Sequence, residues 1–382
     1  MRIAHFCDSR AGRPDGVARS AELTVRLLRA AGHEVDLYRP GPLRGPVPSL
    51  PLPLRDVRVG LPFTPRRADL VHAHSTGPIG MTGFRAAAAW GVPLVATWHT
   101  DLLAYADVYP EIPAGAAWCA LRLRLGWSPG DYLELARPGA IRHRRLVELG
   151  RAMFARMAVA IAPSPKTAAG FAVFEPRAEI RVLPTPTPTQ PSRTERSGNV
   201  VLAVGRGTAE KNPELLLEAF ARVHATRPGT TLIMLGVRRR RRHLLRRIAA
   251  LDLQDHVWVR GPVPHDRVIQ HYGAAAVLAF ASTTDTQGLV LTEAEAAGLP
   301  VVVADPALAA RPGGDGGSPR FTCDPTPDAF AAGLLRMLDD DALRKRVIDD
   351  GLAAAAAYTP EVFLRNLMEI YEGATHGPCQ PP

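Results

Sequence analysis

The sequence is short of cysteine. Cys7, Cys119, Cys323 and Cys379 are scattered over 382 residues, with no CxxC pair and no metal-finger spacing. That removes a zinc-finger reading and suits a reduced, cytoplasmic setting. Also missing is any apolar run near the ~20 residues that span a bilayer. The opening Met-Arg-Ile-Ala-His-Phe-Cys-Asp turns polar too soon for a signal-peptide core. Aromatics are not interleaved with the arginine run 238–242, and no nucleic-acid module surrounds it. The net charge is nevertheless +9, mostly from arginine. It favours an anionic partner, whether a substrate, a membrane surface or a phosphate backbone. The length allows two domains with a core in each, and 46% apolar content is ordinary for a globular protein.

What is present is concentrated in residues 285–300, Asp-Thr-Gln-Gly-Leu-Val-Leu-Thr-Glu-Ala-Glu-Ala-Ala-Gly-Leu-Pro. An acidic residue precedes a turn at Gln287 and Gly288, a helix-forming run follows, and Gly298 and Pro300 end it. Apolar strand candidates flank it at 274–281 and 301–304, so the unit reads strand, loop, helix, strand. The helix N-terminus near Gly288 offers unpaired amides and the positive dipole end to an anion. Asp285 and Glu293 stand nearby as acceptors for hydroxyl groups. An amide cradle for phosphate beside carboxylates for hydroxyls suits a nucleotide sugar. The bland alternative is an ordinary buried βαβ unit with a capped helix.

This segment resembles the signature of the glycogen-synthase-like family 4 of retaining GT-B glycosyltransferases. There, Glu-x7-Glu precedes Gly-x-Pro-Val-Val; here Asp285 and Glu293 hold the acidic positions and Gly298, Pro300, Val301 and Val302 the rest. Asp285 departs from the pattern by one methylene. Two further places carry the resemblance. Trp98-His99-Thr100-Asp101 follows a strand candidate at 92–97, and Gly205-Arg206-x4-Lys211 follows another at 200–205. An arginine fork and a lysine point charge at a strand exit can bracket a diphosphate; two solvated loop cations are the alternative.

Taken in order, residues 1–7 read as a strand. Asp15-Gly16 then opens a helix in place of the family's paired glycines, so only Gly16 carries over as a donor-diphosphate contact. Proline and glycine crowd 40–65. Residues 69–74 form a strand ending in His74. Residues 102–138 look irregular and aromatic-rich. Residues 141–157 read as a basic helix, either packed on its own domain or resting on an anionic membrane. The alternating prolines of 184–191 form a stiff linker.

The resemblance implies an α/β protein of GT-B fold, two Rossmann-like domains facing a cleft. The expected boundaries are an acceptor-binding domain at 1–183, a linker at 184–198, a nucleotide-sugar domain at 199–358, and at 359–382 a terminal helix crossing back to the first domain. It implies a retaining transfer from a nucleoside-diphosphate sugar. His99, Arg206, Lys211 and Asp285 would serve the chemistry. Gly16, Gln287, Gly288, Leu289 and Glu293 would hold the donor, and His74 and Asp101 the acceptor. No obligatory metal or other cofactor is expected, since protein cations serve the leaving group. The acceptor reading is a small natural-product-like alcohol of secondary metabolism. The alternatives are a membrane lipid headgroup with peripheral membrane contact, a nucleotide-sugar 2-epimerase, and last a non-enzymatic basic nucleic-acid-binding protein.

Overall fold

A computed structural model describes residues 1–12, 15–51, 58–109, 111–187, 189, 198–238, 240–312 and 318–376. The chain divides into two compact units, Met1–Thr185 with Glu361–Pro382, and Pro186–Pro360. Of the expected linker, 188 and 190–197 lie outside the described residues, as does Arg239 of the arginine run.

The first unit is built on β1 (Arg2–Phe6), β2 (Glu34–Tyr38), β3 (Ser49–Pro51), β4 (Arg58–Gly60), β5 (Leu70–Ala73), β6 (Leu94–Thr97), β7 (Val159–Ala162) and β8 (Glu179–Val182). Six of these form one parallel sheet in the order β2-β1-β5-β6-β7-β8; β3 and β4 make a separate antiparallel pair. The central strands are short apolar runs buried on both faces, as parallel strands covered by helices must be. Strand order reverses between β1 and β5, the place where open α/β sheets hold ligands beyond their carboxyl ends. Asp8, half-buried just after β1, accepts the amides of Ile79 at 2.9 Å and Gly80 at 3.1 Å, and so caps the helix Pro78–Trp90.

Residues 102–138 are more regular than their composition suggests. They form the helices Leu102–Ala106, Glu111–Leu123 and Pro129–Glu134. Pro129 reads as a breaker, but it sits at the first turn, where no amide bond is lost, behind a Ser128–Asp131 capping box. The basic helix Ala140–Phe154 follows. Its arginines face acids of the same unit: Arg142 meets Asp107 at 3.0 Å, Arg144 meets Glu134 at 3.0 Å, and Arg151 meets Glu175 at 2.6 Å. Arg145 reaches Glu134, Glu148 and Asp131. The helix Pro360–His376 buries Phe363, Leu367, Ile370 and Tyr371 within this unit.

The second unit carries β9 (Val200–Val204), β10 (Thr231–Leu235), β11 (Val257–Val259), β12 (Val277–Phe280) and β13 (Val301–Val303), all parallel in the order β11-β10-β9-β12-β13. Both sheets are thus doubly wound and Rossmann-like, and here the reversal falls between β9 and β12. Asp340 caps the helix Asp341–Ala357 by accepting the Leu343 amide at 2.9 Å.

Each unit buries a cluster of polar side chains. In the second, Glu295 takes Arg320 on both oxygens, at 3.1 and 2.9 Å, and Arg311 at 2.9 Å. In the first, His5, His72 and His74 are buried on one sheet face.

Removing the Glu295 carboxylate strands two buried guanidinium groups. Glu295→Ala should cost the second unit about 3–5 kcal/mol, seen as lost hydrogen-exchange protection in β12 and β13. Unchanged protection would mean that the arginines find other partners.

Burial holds His5, His72 and His74 well below the ordinary histidine value, with neighbouring imidazoles adding to it. The unfolded chain therefore binds more protons below about pH 6.5. The stabilisation is complete above that pH and is lost on acidification at about 4 kcal/mol per pH unit for three such groups. Hydrogen exchange should show β1, β5 and β6 opening near pH ~5 while β9 and β12 stay protected. Equal acid sensitivity of the two sheets would contradict this.

Candidate functional site

In the second unit, the loops leaving β9 and β12 emerge side by side because these strands are neighbours. After β9 the chain runs through Gly205, Arg206 and Gly207 into the short turn Ala209–Lys211. Gly207 has φ +70°, and a Cβ there would stand 2.9 Å from Val237 Cγ1, so the position needs glycine twice over. Arg206 Nη2 meets Glu210 Oε1 at 2.9 Å, and Thr208 Oγ1 donates to the same oxygen at 2.5 Å.

The β12 loop is fastened to this turn. Ser282 Oγ and Thr284 Oγ1 donate to the Glu210 carbonyl at 2.7 and 3.1 Å. Lys211 Nζ reaches both oxygens of Asp285, at 2.6 and 2.8 Å. Arg206, Lys211 and Asp285 are therefore brought together in one bonded pair of loops. Two cations and two carboxylates alternate there, and Gly205, Gly207, Lys211 and Ser282 line a cavity beside them.

Gly288, at φ +71°, turns the chain into the helix Leu289–Ala296, and no side chain caps that N-terminus. A Cβ on Gly288 would lie 3.0 Å from Leu291 Cδ1 and 3.2 Å from Phe280 Cζ. Gln287 is buried just before the helix start, with Leu289 as its first residue. Glu293 lies one turn further in. It is buried and accepts the Tyr272 hydroxyl at 3.1 Å.

In the first unit, His99 follows β6 and is half-buried; burial pushes it down to about 4. It is neutral at pH 7, which suits a hydrogen-bonding role rather than a cationic one. Its Nε2 lies 3.4 Å from Nδ1 of His74, whose Nε2 lies 2.9 Å from Nδ1 of His5. His74 is buried between the two, so the direct acceptor contact expected of it is not what this arrangement offers. Asp101 uses Oδ1 to accept the Ala104 amide at 3.0 Å as a helix cap. Gly16 is exposed as the first residue of the helix Gly16–Ala30, whose cap is Asp15. Trp98 is core, stacked on Phe154 at 5.1 Å between centroids.

Among the described residues, His5, His72 and His74 place ring nitrogens within 4.8 Å of one another, as a cation site would. Their geometry favours hydrogen bonding instead. His72 already meets the Tyr371 hydroxyl at 2.6 Å and Thr97 Oγ1 at 2.7 Å. Its ring also lies against His74 at 4.2 Å rather than turning its edge to a common point.

Sequence reasoning passed over Glu210, Ser282, Thr284, Tyr272, His5 and His72. Glu210 had a signal: it stands between the two cations of the Arg206–Lys211 element. His72 had one too, since it shares a strand face with His74 at a spacing of two. The pairing of His5 with His72 depends on β1 lying beside β5, which local pattern does not reveal.

Comparison with known proteins bears on the family and the fold. The family model described as Glycosyl transferases group 1 matches residues 188–352, and the one described as Glycosyltransferase Family 4 matches residues 14–190. A D-inositol 3-phosphate glycosyltransferase of Acidothermus cellulolyticus is 31% identical, over 80% of this chain and 67% of its own. The sucrose-phosphate synthase of Thermosynechococcus elongatus has a TM-score of 0.68 at 18% identity, with 97% of this chain and 98% of that chain covered. Anabaena HepE, solved with UDP-glucose, has a TM-score of 0.63 at 17% identity, with 98% and 100% covered. This chain spans only 57% of the pneumococcal O-GlcNAc transferase, at a TM-score of 0.56 with 81% of this chain covered and 17% identity. The structural likenesses carry the fold, and the sequence matches carry the family. The chain belongs to the glycosyl transferases group 1, the family 4 glycosyltransferases of GT-B fold.

Proposed function

We propose that this glycosyltransferase moves a sugar, with retention, from a nucleoside-diphosphate sugar to a hydroxyl of a small-molecule acceptor. The observation that carries the reading is the Lys211–Asp285 pair, fastened beside Arg206–Glu210 where the second sheet reverses its order. Each cation there is held by a carboxylate that also suits a hydroxyl. A diphosphate arriving at Lys211 competes for its ammonium and releases Asp285 to accept hydroxyls of the donor sugar. Arg206 and the amides from Gln287 to Leu289 take up further phosphate charge. Glu293 accepts the ribose hydroxyls, and Gly16 approaches the diphosphate. His99 gives a hydrogen bond to the sugar. Attack comes from the face that the diphosphate leaves, and the departing phosphate takes the acceptor's proton. Stabilising that leaving group is the largest share of the catalysis. No metal or other cofactor is invoked.

Relatives support the substrate classes. Anabaena HepE was solved with UDP-glucose, and the Acidothermus relative is named for D-inositol 3-phosphate, a small polyol carrying phosphate. The lipid-headgroup reading loses its main support, because the arginines of the helix Ala140–Phe154 are engaged within their own unit. No helix among the described residues is long and apolar enough to cross a membrane. The setting proposed is cytoplasmic.

Lys211→Ala and Arg206→Ala should each lower kcat by about 10²–10³, the scale of losing one charge-stabilising donor, with unfolding midpoints little changed. Initial rates with nucleotide sugars and polyol phosphates measure this. Full activity in both variants would remove the leaving-group role. Incubation with donor alone tests the epimerase alternative, since a transferase without acceptor leaves the sugar's configuration intact.

A further inference from the structure

The proposed chemistry uses Arg206 and Lys211 and leaves the acid between them, Glu210, without a part. The Glu210 side chain is 1% exposed, whereas that of Arg206 is 41% exposed. Its Oε1 accepts both Arg206 Nη2, at 2.9 Å, and Thr208 Oγ1, at 2.5 Å. Its Oε2 is buried with no hydrogen-bond partner. Both partners of the carboxylate are thus side chains. The helix Pro213–Thr226 that follows has no side-chain cap, so Glu210 is not held there as one.

Burying a carboxylate with one oxygen unpaired is unfavourable. An arginine exposed to that extent offsets little of it, because water screens the attraction. A neutral side chain would suit the turn better on stability alone. The structural duty of Glu210 lies in its backbone, whose carbonyl accepts Ser282 and Thr284 at 2.7 and 3.1 Å. Any residue supplies that carbonyl. What only the carboxylate supplies is a fixed anion for Arg206. A guanidinium on its long stem samples many rotamers, and one tied to a buried anchor is ordered before the ligand arrives. Thr208 orients the anchor in turn, since its hydroxyl donates to the oxygen that Arg206 uses.

We propose that Glu210 is a positioning residue that holds the Arg206 guanidinium in place for the departing diphosphate, with Thr208 orienting the carboxylate. The part Arg206 plays rests on the function proposed above; the hold on Arg206 does not.

Two readouts on the full chain test this. The first is ¹⁵N relaxation of the Arg206 Nε–H group, its signal identified by its loss in Arg206→Ala. The side chain should be ordered in the unsubstituted protein and mobile in Glu210→Gln, which keeps the size of residue 210 and its carbonyl. The second is transfer kinetics. Glu210→Gln should lower kcat by about tenfold to a hundredfold, the scale of a displaced group at a reacting centre. The donor KM should change little, as for an interaction made in the transition state. In an Arg206→Ala background the same substitution should lower kcat no further, because residues acting as a unit are not additive. Thr208→Val removes the orienting donor, leaves the carboxylate, and should move both readouts the same way; it carries the test should Glu210→Gln fail to fold. An equal fractional loss with and without Arg206 overturns the proposal. So does an Arg206 side chain that stays as ordered in both variants as in the unsubstituted protein. A loosened Arg206 together with full transfer by Arg206→Ala supports the hold and overturns the leaving-group reading.

Discussion

Lys211 and Asp285 lie 74 residues apart and meet because β9 and β12 are adjacent where the strand order reverses. Among the described residues, no helix connects these two strands directly. Their loops therefore have room to turn toward each other, and the Glu210 carbonyl gathers both Ser282 and Thr284. The ion pair is the outermost part of that junction. Lys211 and Asp285 side chains are 24% and 14% exposed, so water screens the pair only partly. In such a setting attraction and desolvation nearly offset each other, and the contact adds little to stability. That is the condition under which a competing anion can take the lysine cheaply.

The arginine excess has a similar lesson. The charge of +9 pointed to an anionic partner, and the helix Ala140–Phe154 was the natural place to look for it. Yet its Arg145 alone reaches Asp131, Glu134 and Glu148, and Arg142 also holds the Ala106 and Leu135 carbonyls. These contacts pin the helices Leu102–Ala106 and Pro129–Glu134 to one longer one. Net charge counts residues and says nothing about which of them already face an acid. Anion recognition has to be argued locally, and at β9 and β12 it rests on half-buried Arg206 and on a helix start at Gly288 that no side chain caps.

Much of the fold was legible because parallel strands announce themselves as short β-branched runs bounded by glycine, as in Val200–Val204 and Val301–Val303. The site elements were legible for the same reason, since each follows such a run. What stayed hidden was set by neighbours. The helices Glu111–Leu123 and Pro129–Glu134 escaped notice because Pro113 and Pro129 occupy first turns, which composition cannot tell from breaks. Glu210 escaped because a buried carboxylate looks like any loop acid until its partners are known. Asp101 illustrates the converse: its place after His99 suggested a ligand contact, while its geometry is that of a cap.

The two buried polar clusters differ in a way that bears on function. Glu295 with Arg311 and Arg320 is charged, and Arg320 further donates to the Leu308 and Ala310 carbonyls. Such a cluster fixes the chain between the helix Leu289–Ala296 and the segment after β13. Gly351 closes the other side, with space for a Cβ only 3.2 Å from that of Glu295. The histidine row is neutral, and its strength depends on where single protons sit. A neutral row adds no fixed charge to its sheet, whereas Glu295, Arg311 and Arg320 place charged groups in the core of the second unit.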